Sequence, residues 1–234
     1  IMRRRQRQMC IRDRFKGYDE TTLKANVTAL VLDSEVVDEL SDQIKKSAII
    51  TDESCFYAES GGQVGDKGII STENAEFKVT DTRKTPQGIF IHFGNVISGN
   101  FKIGNEVKLK IDSSLRELIK KNHSATHLLH AALRNNLGLH VAQRGSLVNE
   151  NKLRFDFSHN KQISSKQIDT IQKEVTNIIS NDRETQIEIK SQEEAIKQGA
   201  MALFGEKYGE EVRVVTLGEH NNKPYSIELC GGTH

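Results

Sequence analysis

Two matched pairs of metal-type side chains, far apart in the chain, place the strongest constraint on its fold. His123 and His127 are four residues apart in a run with helical character. On a helix, their rings lie on one face about one turn apart. Cys230 and His234 repeat this spacing across two glycines. Because zinc prefers histidine and cysteine ligands, the sequence predicts a fold that joins both pairs in one zinc site.

The strength of this signal lies in the combination of the two pairs. An isolated HxxxH pattern is weak evidence, since histidines at helical spacing arise by chance. Two matched pairs are stronger evidence in a chain with eight histidines and three cysteines. A zinc peptidase of the HExxH type needs a glutamate after the first histidine, where this chain has Ser124, so the pattern argues against that mechanism. His130 is a third candidate on the same face, either a hydrogen-bonded core residue or a partner that orients a ligand.

Length and composition indicate a globular chain. Its 234 residues, 36% of them hydrophobic, are enough for one large domain or two small ones. No run reaches the roughly 20 apolar residues of a membrane helix, and the first residues lack the apolar segment of a signal peptide. The three cysteines, Cys10, Cys55 and Cys230, argue against a disulfide framework. We therefore expect a cytoplasmic protein without membrane association.

The charge is unevenly distributed. Residues 1–14 hold six arginines and one aspartate; without them, 27 basic residues face 31 acidic ones, which leaves a net charge of −4. Global charge therefore gives no support for nucleic-acid binding, and any RNA contact must come from a local patch. The leader has no apolar periodicity, and we expect a disordered tail or a non-native extension rather than an RNA-binding arm.

The region 15–111 has the pattern of a small β-barrel or sandwich. Short alternating runs separated by turn residues predict strands, and no long helical period lies between them. The predicted strands are residues 26–32, 47–51, 68–71, 76–80, 89–93 and 106–111. Residues 59–68 form the richest glycine cluster, which permits positive φ angles and close approach of a ligand. From the glycines alone, an ordinary turn is the preferred interpretation.

The region 112–234 changes to a helical period at Ser113. Apolar residues at three- and four-residue steps mark a helix that Gly138 ends and that carries both histidines. A hairpin of residues 139–148 and 152–157 is expected to bring Gln143, Arg144 and Arg154 past the metal. A second helix capped near Ser164 follows, then strands 185–190, 211–217 and 225–229 with a short helix at 192–198. The whole chain is thus predicted to be α+β, with a barrel subdomain followed by a two-layer α/β sandwich.

Seven segments together carry a resemblance to a known family. They are FKGYD, FYAESGGQVGDKG, NHSATHLLHAALR, GSLV, LRFDFSHN, GAMALFGEKYG and ELCGGTH. Between Phe15 and His234 the chain resembles the editing region of bacterial alanyl-tRNA synthetases, and it is similar to the free-standing alanyl-tRNA editing proteins. HxxxH alone also occurs in the editing domain of threonyl-tRNA synthetase, so the specificity comes from the combination. Residues 1–14 match nothing in the family.

The resemblance implies a fold, a reaction and a set of site residues. It implies a β-barrel followed by an editing domain with Zn²⁺ at His123, His127, Cys230 and His234, which hydrolyses tRNA(Ala) mischarged with serine or glycine. Gln143 is expected to line the pocket and, with Cys230, to serve catalysis. Since an amide does not titrate, Gln143 would fix the substrate or a water by hydrogen bonds. The expected substrate-binding residues are Thr126, Gly61, Gly62, Gln63 and Arg144.

Two alternatives remain open at this point. Four protein ligands close a tetrahedral zinc site, which is typical of structural zinc, whereas catalysis needs an open position. The chain is thus either a deacylase, within a synthetase or free-standing, or a structural-zinc module that binds tRNA. In both cases RNA contacts are expected from Arg116, Lys120, Lys121 and Arg144. Because the aminoacylation and C-terminal domains of a synthetase are absent, we expect a fragment truncated at both ends.

Overall fold

The computed structural model describes residues 14–41, 46–201 and 210–234. The leader up to residue 13, with Cys10, and most of the GAMALFGEKYG segment lie outside these residues. The described chain is α+β and forms two compact units. Among the described residues, the first covers those up to Glu59 and again Val64–Arg116, and the second consists of those in Ser60–Gln63 and Glu117–His234. None of the described helices is long and apolar enough to cross a membrane.

The first unit is built from short strands. Its elements are β1 (Arg14–Phe15), β2 (Thr22–Leu32), β3 (Glu35–Val37), β4 (Glu39–Ser41), β5 (Ser47–Thr51), β6 (Glu53–Ser54), β7 (Gly68–Ser71), β8 (Glu76–Lys84), β9 (Phe90–Ser98), β10 (Asn100–Lys102) and β11 (Glu106–Ile111). Six of the described strands close into a barrel in the order β11-β7-β8-β9-β5-β2, because β11 also pairs with β2. Leu109, for example, lies opposite Ile70 on one side and Leu23 on the other. The predicted β-barrel is therefore confirmed.

Alternation of apolar and polar residues fills the barrel. In β11, Val107, Leu109 and Ile111 are buried while the lysines between them are exposed. This is the period of two that a strand with one buried face requires. The three buried residues of β11 belong to a hydrophobic cluster that also includes Phe56, Phe77 and Phe101, all fully buried. The barrel therefore encloses a packed core.

A buried ion pair joins the first turn of the long helix to the barrel loops. Arg116 is 5% exposed and contacts the carboxylate of Asp66, which is 2% exposed. Its guanidinium also donates to the carbonyl oxygens of Gly17 at 2.6 Å and Cys55 at 3.2 Å. The expectation that Arg116 contacts RNA is wrong, because its side chain is buried and its donors are used within this unit.

His92 gives the barrel a pH-dependent stability. It is fully buried, with Nδ1 2.9 Å from the Ile49 carbonyl oxygen and Nε2 2.8 Å from Ser54 Oγ. Burial lowers the pKa of His92 from 6.5 to about 4, although the bond to Ile49 opposes this shift. The unfolded chain therefore takes up a proton first as the pH falls, and the barrel loses stability between about pH 6.5 and pH 4.

We expect this proton uptake to cost about 2 to 3 kcal/mol of unfolding free energy between pH 7 and pH 4.5. Urea unfolding followed by circular dichroism at both pH values measures the loss. In His92→Gln, which cannot take up this proton, the pH-dependent loss should be smaller by that amount, even if the variant is less stable at pH 7. Equal losses in the two proteins would contradict the assignment.

The second unit contains three helices and five strands among its described residues. They are α1 (Ser113–Leu137, from Glu117 onward), β12 (Gln143–Val148), β13 (Leu153–Phe157), α2 (Ser165–Ser180), β14 (Gln186–Ser191), α3 (Gln192–Lys197), β15 (Glu211–His220) and β16 (Lys223–Leu229). Helix α1 ends where predicted, before Gly138 with φ 114°. Ser164 caps α2 in a reciprocal box with Gln167, as its position predicts.

The three-stranded sheet of this unit has the order β14-β15-β16, and residues of the helices pack against it. Leu128 of α1 and Ile178 of α2 pack with Val215 and Leu217 of β15. Val214 faces the opposite side of the sheet. It packs in a second cluster with Val212, Leu229 and two alanines, Ala195 of α3 and Ala200. Layers of helix and sheet are thus present, and the two-layer sandwich itself stays a prediction.

The glycine segment Ser60–Gln63 belongs to the second unit, although its sequence neighbours belong to the barrel. The backbone N–H of Val148 donates to the Gly62 carbonyl oxygen at 2.7 Å, and Gln63 forms a parallel bridge with Val148. Gly61 and Gly62 have φ angles of 58° and 86°. A Cβ on Gly62 would lie 2.6 Å from the Ser146 carbonyl oxygen. Glycine is therefore needed for both the conformation and the close approach.

Candidate metal centre

The four expected ligands lie together in the second unit. Helix α1 carries His123 and His127, and the residues after β16 provide Cys230 and His234. One ligand atom from each residue lies within 4.8 Å of all the others. The first three side chains are buried and His234 is half-buried. This group is able to hold a metal ion.

The distances within the group suit a tetrahedral ion. The Sγ atom of Cys230 lies 3.5 Å from His123 Nε2 and 3.4 Å from His234 Nε2. Zn–N and Zn–S bonds of about 2.0 and 2.3 Å at tetrahedral angles place N and S about 3.5 Å apart. Two nitrogens and one sulfur are thus already at coordination spacing.

Each of the three imidazole rings has a partner at Nδ1, which directs Nε2 toward the group. The pairs are His123 with Gln63 Oε1 at 2.7 Å, His127 with Glu228 Oε2 at 2.6 Å, and His234 with Ser124 Oγ at 3.1 Å. Outer contacts of this kind fix the tautomer and orientation of metal-binding histidines. Glu228 was not among the residues expected from the sequence. The signal for it was a carboxylate between Ile227 and Leu229 in an apolar strand.

A buried nitrogen without a partner also indicates a ligand. His127 Nε2 and His130 Nε2 are buried and have no hydrogen-bond partner in the described chain, and of these two atoms only His127 Nε2 belongs to the group. Buried polar atoms are rarely left in this state, so a metal ion at the centre of the group would satisfy it. His130 Nδ1 lies 3.1 Å from the other oxygen of Glu228. His130 is buried and hydrogen-bonded, as the core alternative expects, and it is linked to His127 through the shared Glu228 carboxylate, so both of its expected roles stay open.

Electrostatics favour the metal-binding forms of Cys230 and His234, but they hold a proton on His127. Burial opposes ionisation of Cys230, but its contacts with His123 and the other histidines outweigh this and hold the pKa of the thiol well below 9.0. Burial lowers the pKa of His234 to about 4, so this ring is neutral at pH 7. Burial also opposes charge on Glu228, yet His127 holds the pKa of this carboxyl at about 2. A thiolate and neutral imidazoles are the ligand forms that bind zinc. Burial lowers the pKa of His127, but Glu228 and Cys230 outweigh this and raise it to about 10, so zinc would displace a proton from this ring.

Gly232 allows the Cys230 segment to approach the helix. A Cβ at this position would overlap the His123 ring. The backbone N–H of Gly232 donates to Cys230 Sγ at 3.3 Å, which further stabilises a thiolate. The second glycine of the CGGTH segment is therefore part of the site rather than a flexible link.

The remaining expected residues belong to the same unit as the four ligands. Gln143 and Arg144 open β12, where a bulge separates Gln143 from Gly145; Gln143 is half-buried and Arg144 is exposed. The Thr126 hydroxyl donates to the Asn122 carbonyl oxygen at 2.8 Å, within its own helix. Gln63 is fully buried and contacts His123 rather than open space. Roles in substrate binding for Thr126, Gly61, Gly62, Gln63 and Arg144 stay predictions.

Two comparisons with known proteins indicate similarity to tRNA synthetases. Residues 2–115 match the family model described as tRNA synthetases class II (A), so the expectation that residues 1–14 match nothing in the family is wrong for residues 2–14. The chain is also 47% identical over 225 residues to alanine–tRNA ligase of Mesorhizobium japonicum, and 47% identical to those of Parvibaculum lavamentivorans and Rhizobium johnstonii. Each alignment covers 94% of this chain and 25% of the relative. The resemblance to alanyl-tRNA synthetases is thus confirmed, and the chain spans about a quarter of the length of these relatives.

Proposed function

We propose that this chain is an editing deacylase and part of an alanine–tRNA ligase. It hydrolyses the ester bond that joins a wrongly attached serine or glycine to tRNA(Ala). The observation that carries the proposal is the group of His123, His127, Cys230 and His234, with its oriented rings, in a chain similar to alanine–tRNA ligases. In this proposal residues 15–111 form the barrel subdomain and residues 112–234 the editing domain. The partners are tRNA(Ala) and the aminoacylation and C-terminal domains of the same synthetase, in the cytoplasm.

The need for such a site follows from the size of the amino acids. A pocket for alanine cannot strongly reject serine, which adds one hydroxyl, or glycine, which lacks one methyl group. Differences of this kind are worth only about 1 to 3 kcal/mol in a binding pocket. A second, hydrolytic site removes the wrong amino acid by cleaving its ester to the terminal ribose.

The chain's residues have defined roles in this proposal. When bound, zinc would supply a Lewis acid for the ester carbonyl or lower the pKa of a water molecule. Glu228 and Gln63 hold the rings of His127 and His123 in place, and Cys230 contributes the negative charge of its thiolate. The Gln143 amide would hold the substrate or a water by hydrogen bonds. Lys120, Lys121 and Arg144 remain the proposed RNA contacts after the exclusion of Arg116.

Deacylation of Ser-tRNA(Ala) by the purified chain, with and without a zinc chelator, tests the proposal. We expect hydrolysis of the seryl ester that the chelator stops and added Zn²⁺ restores. Correctly charged Ala-tRNA(Ala) is the control and should remain intact. Absence of hydrolysis by a folded, zinc-loaded chain would contradict the proposal.

The second candidate function is a structural-zinc module that binds tRNA without catalysis. It is favoured by the presence of four protein ligands, which fill a tetrahedral site. The two functions differ in the effect of Gln143→Ala. A module would bind tRNA and zinc as before and hydrolyse nothing in either form, whereas an editing enzyme would lose deacylation while it retains zinc.

A further inference from the structure

Gln63 connects the two halves of the metal centre. Its Oε1 atom accepts from His123 Nδ1 at 2.7 Å and from the Thr233 backbone N–H at 3.0 Å. Its Nε2 atom donates to Thr233 Oγ1 at 2.9 Å. The side chain is fully buried, and Thr233 is 3% exposed. The amide oxygen thus accepts hydrogen bonds from the expected ligand His123 and from Thr233, the residue before the expected ligand His234.

The backbone holds this amide in a fixed place. The N–H of Ser60 donates to the Gln63 carbonyl oxygen at 3.1 Å, and the N–H of Gln63 donates back to Ser60 at 3.0 Å. The two glycines between them turn the chain with positive φ angles, and Gly62 is bonded to Val148. A tight turn closed at both ends and attached to β12 has little freedom to move. The hydrogen bonds of this turn therefore fix the backbone of Gln63 and, with it, the position from which its side chain extends.

We propose that Gln63 is a positioning residue of the metal centre. Its oxygen keeps the proton of His123 on Nδ1, so that Nε2 presents its lone pair to the metal. Its contacts with Thr233 hold the segment between Cys230 and His234 against helix α1. This role rests on the proposed metal site and is independent of the reaction that the site performs. The function of Gly61 and Gly62 is then to place Gln63, and substrate contact by Gln63 is not required.

Gln63→Met separates hydrogen bonding from packing. Methionine has nearly the length of glutamine and fills the same space, but it leaves the His123 and Thr233 N–H groups without a strong acceptor. We expect the affinity for Zn²⁺ to fall 10- to 100-fold, the range typical of lost outer contacts. Gln63→Glu retains an acceptor for both N–H groups, and its affinity should stay within a few-fold of the wild type.

The measurement is Zn²⁺ affinity of the full chain by competition with a chromophoric chelator, together with the visible absorption of bound Co²⁺. We expect Gln63→Met to alter the Co²⁺ bands and Gln63→Glu to restore them. Gln172 is exposed on α2, and the same two substitutions there are the matched control that should change neither reading. Circular dichroism verifies that each variant is folded.

Two results would overturn the role of Gln63. Wild-type affinity and an unchanged Co²⁺ spectrum in Gln63→Met would show that the hydrogen bonds are unimportant. Equal losses in Gln63→Met and Gln63→Glu would show that a hydrogen-bond acceptor at this position does not maintain the affinity. If Gln63→Met does not fold, Thr233→Val replaces it, because this variant removes one hydrogen bond from Gln63; it should weaken Zn²⁺ several-fold, and wild-type affinity would contradict the role. A wild-type chain that fails to bind Zn²⁺ would instead reject the metal site.

Discussion

His123→Ala and Cys230→Ala are each expected to abolish deacylation of Ser-tRNA(Ala) and to release zinc. Each variant removes one member of a buried group in which the Cys230 sulfur lies 3.5 Å from His123 Nε2. A metal that stabilises charge in the transition state contributes several kcal/mol, so its loss corresponds to a fall in rate of about 1000-fold or more. Single-turnover deacylation and metal analysis of the same samples measure both effects.

Cys55→Ala is the matched control for the cysteine variant. Cys55 is also buried, but it belongs to the barrel unit, and burial raises the pKa of its thiol to about 12. Its loss should leave the zinc content and the deacylation rate unchanged. Full activity in a metal-free Cys230→Ala protein would refute the zinc-dependent mechanism. Retained zinc with lost activity in Cys230→Ala would instead assign the sulfur a role in the reaction itself.

Arg116→Met is expected to destabilise the barrel unit by about 3 to 5 kcal/mol, because it leaves the buried Asp66 carboxylate without its cation. Asp66 is 2% exposed and also accepts from the backbone N–H of Tyr57 at 2.7 Å. The substitution further removes the donors to Gly17 and Cys55. Urea unfolding at pH 7, followed by circular dichroism, measures the change in unfolding free energy.

Arg83→Met provides the exposed counterpart. Arg83 pairs with Asp81 at 2.8 Å, but its side chain is 63% exposed, so the loss should stay below about 1 kcal/mol. The double variant Arg116→Met/Asp66→Asn removes both charges and should be less destabilised than the sum of its single variants. A loss in Arg116→Met no larger than that in Arg83→Met would contradict the buried ion pair.

The sequence predicted local structure well where the signal is periodic. The runs at 47–51, 68–71 and 106–111 are the strands β5, β7 and β11 with the same bounds. Other strands are longer than predicted: β8 continues to Lys84 and β9 to Ser98, because each is the other's partner over most of its length. Pairing adds residues such as Thr82 and Asn95 to strands whose own pattern does not indicate them.

The sequence by itself determined the four candidate ligands, since the spacing of His123 and His127 on a helix and of Cys230 and His234 is local information. Only the tertiary structure decided what surrounds them. Gln63 meets His123 across 60 residues of sequence, and Glu228 meets His127 across 101. The tertiary structure also decided that Arg116 is buried, although its charge had suggested an exposed contact with RNA. Partners so distant in sequence leave no periodic pattern, because they are chosen when packing excludes water and each buried polar group must find a hydrogen bond.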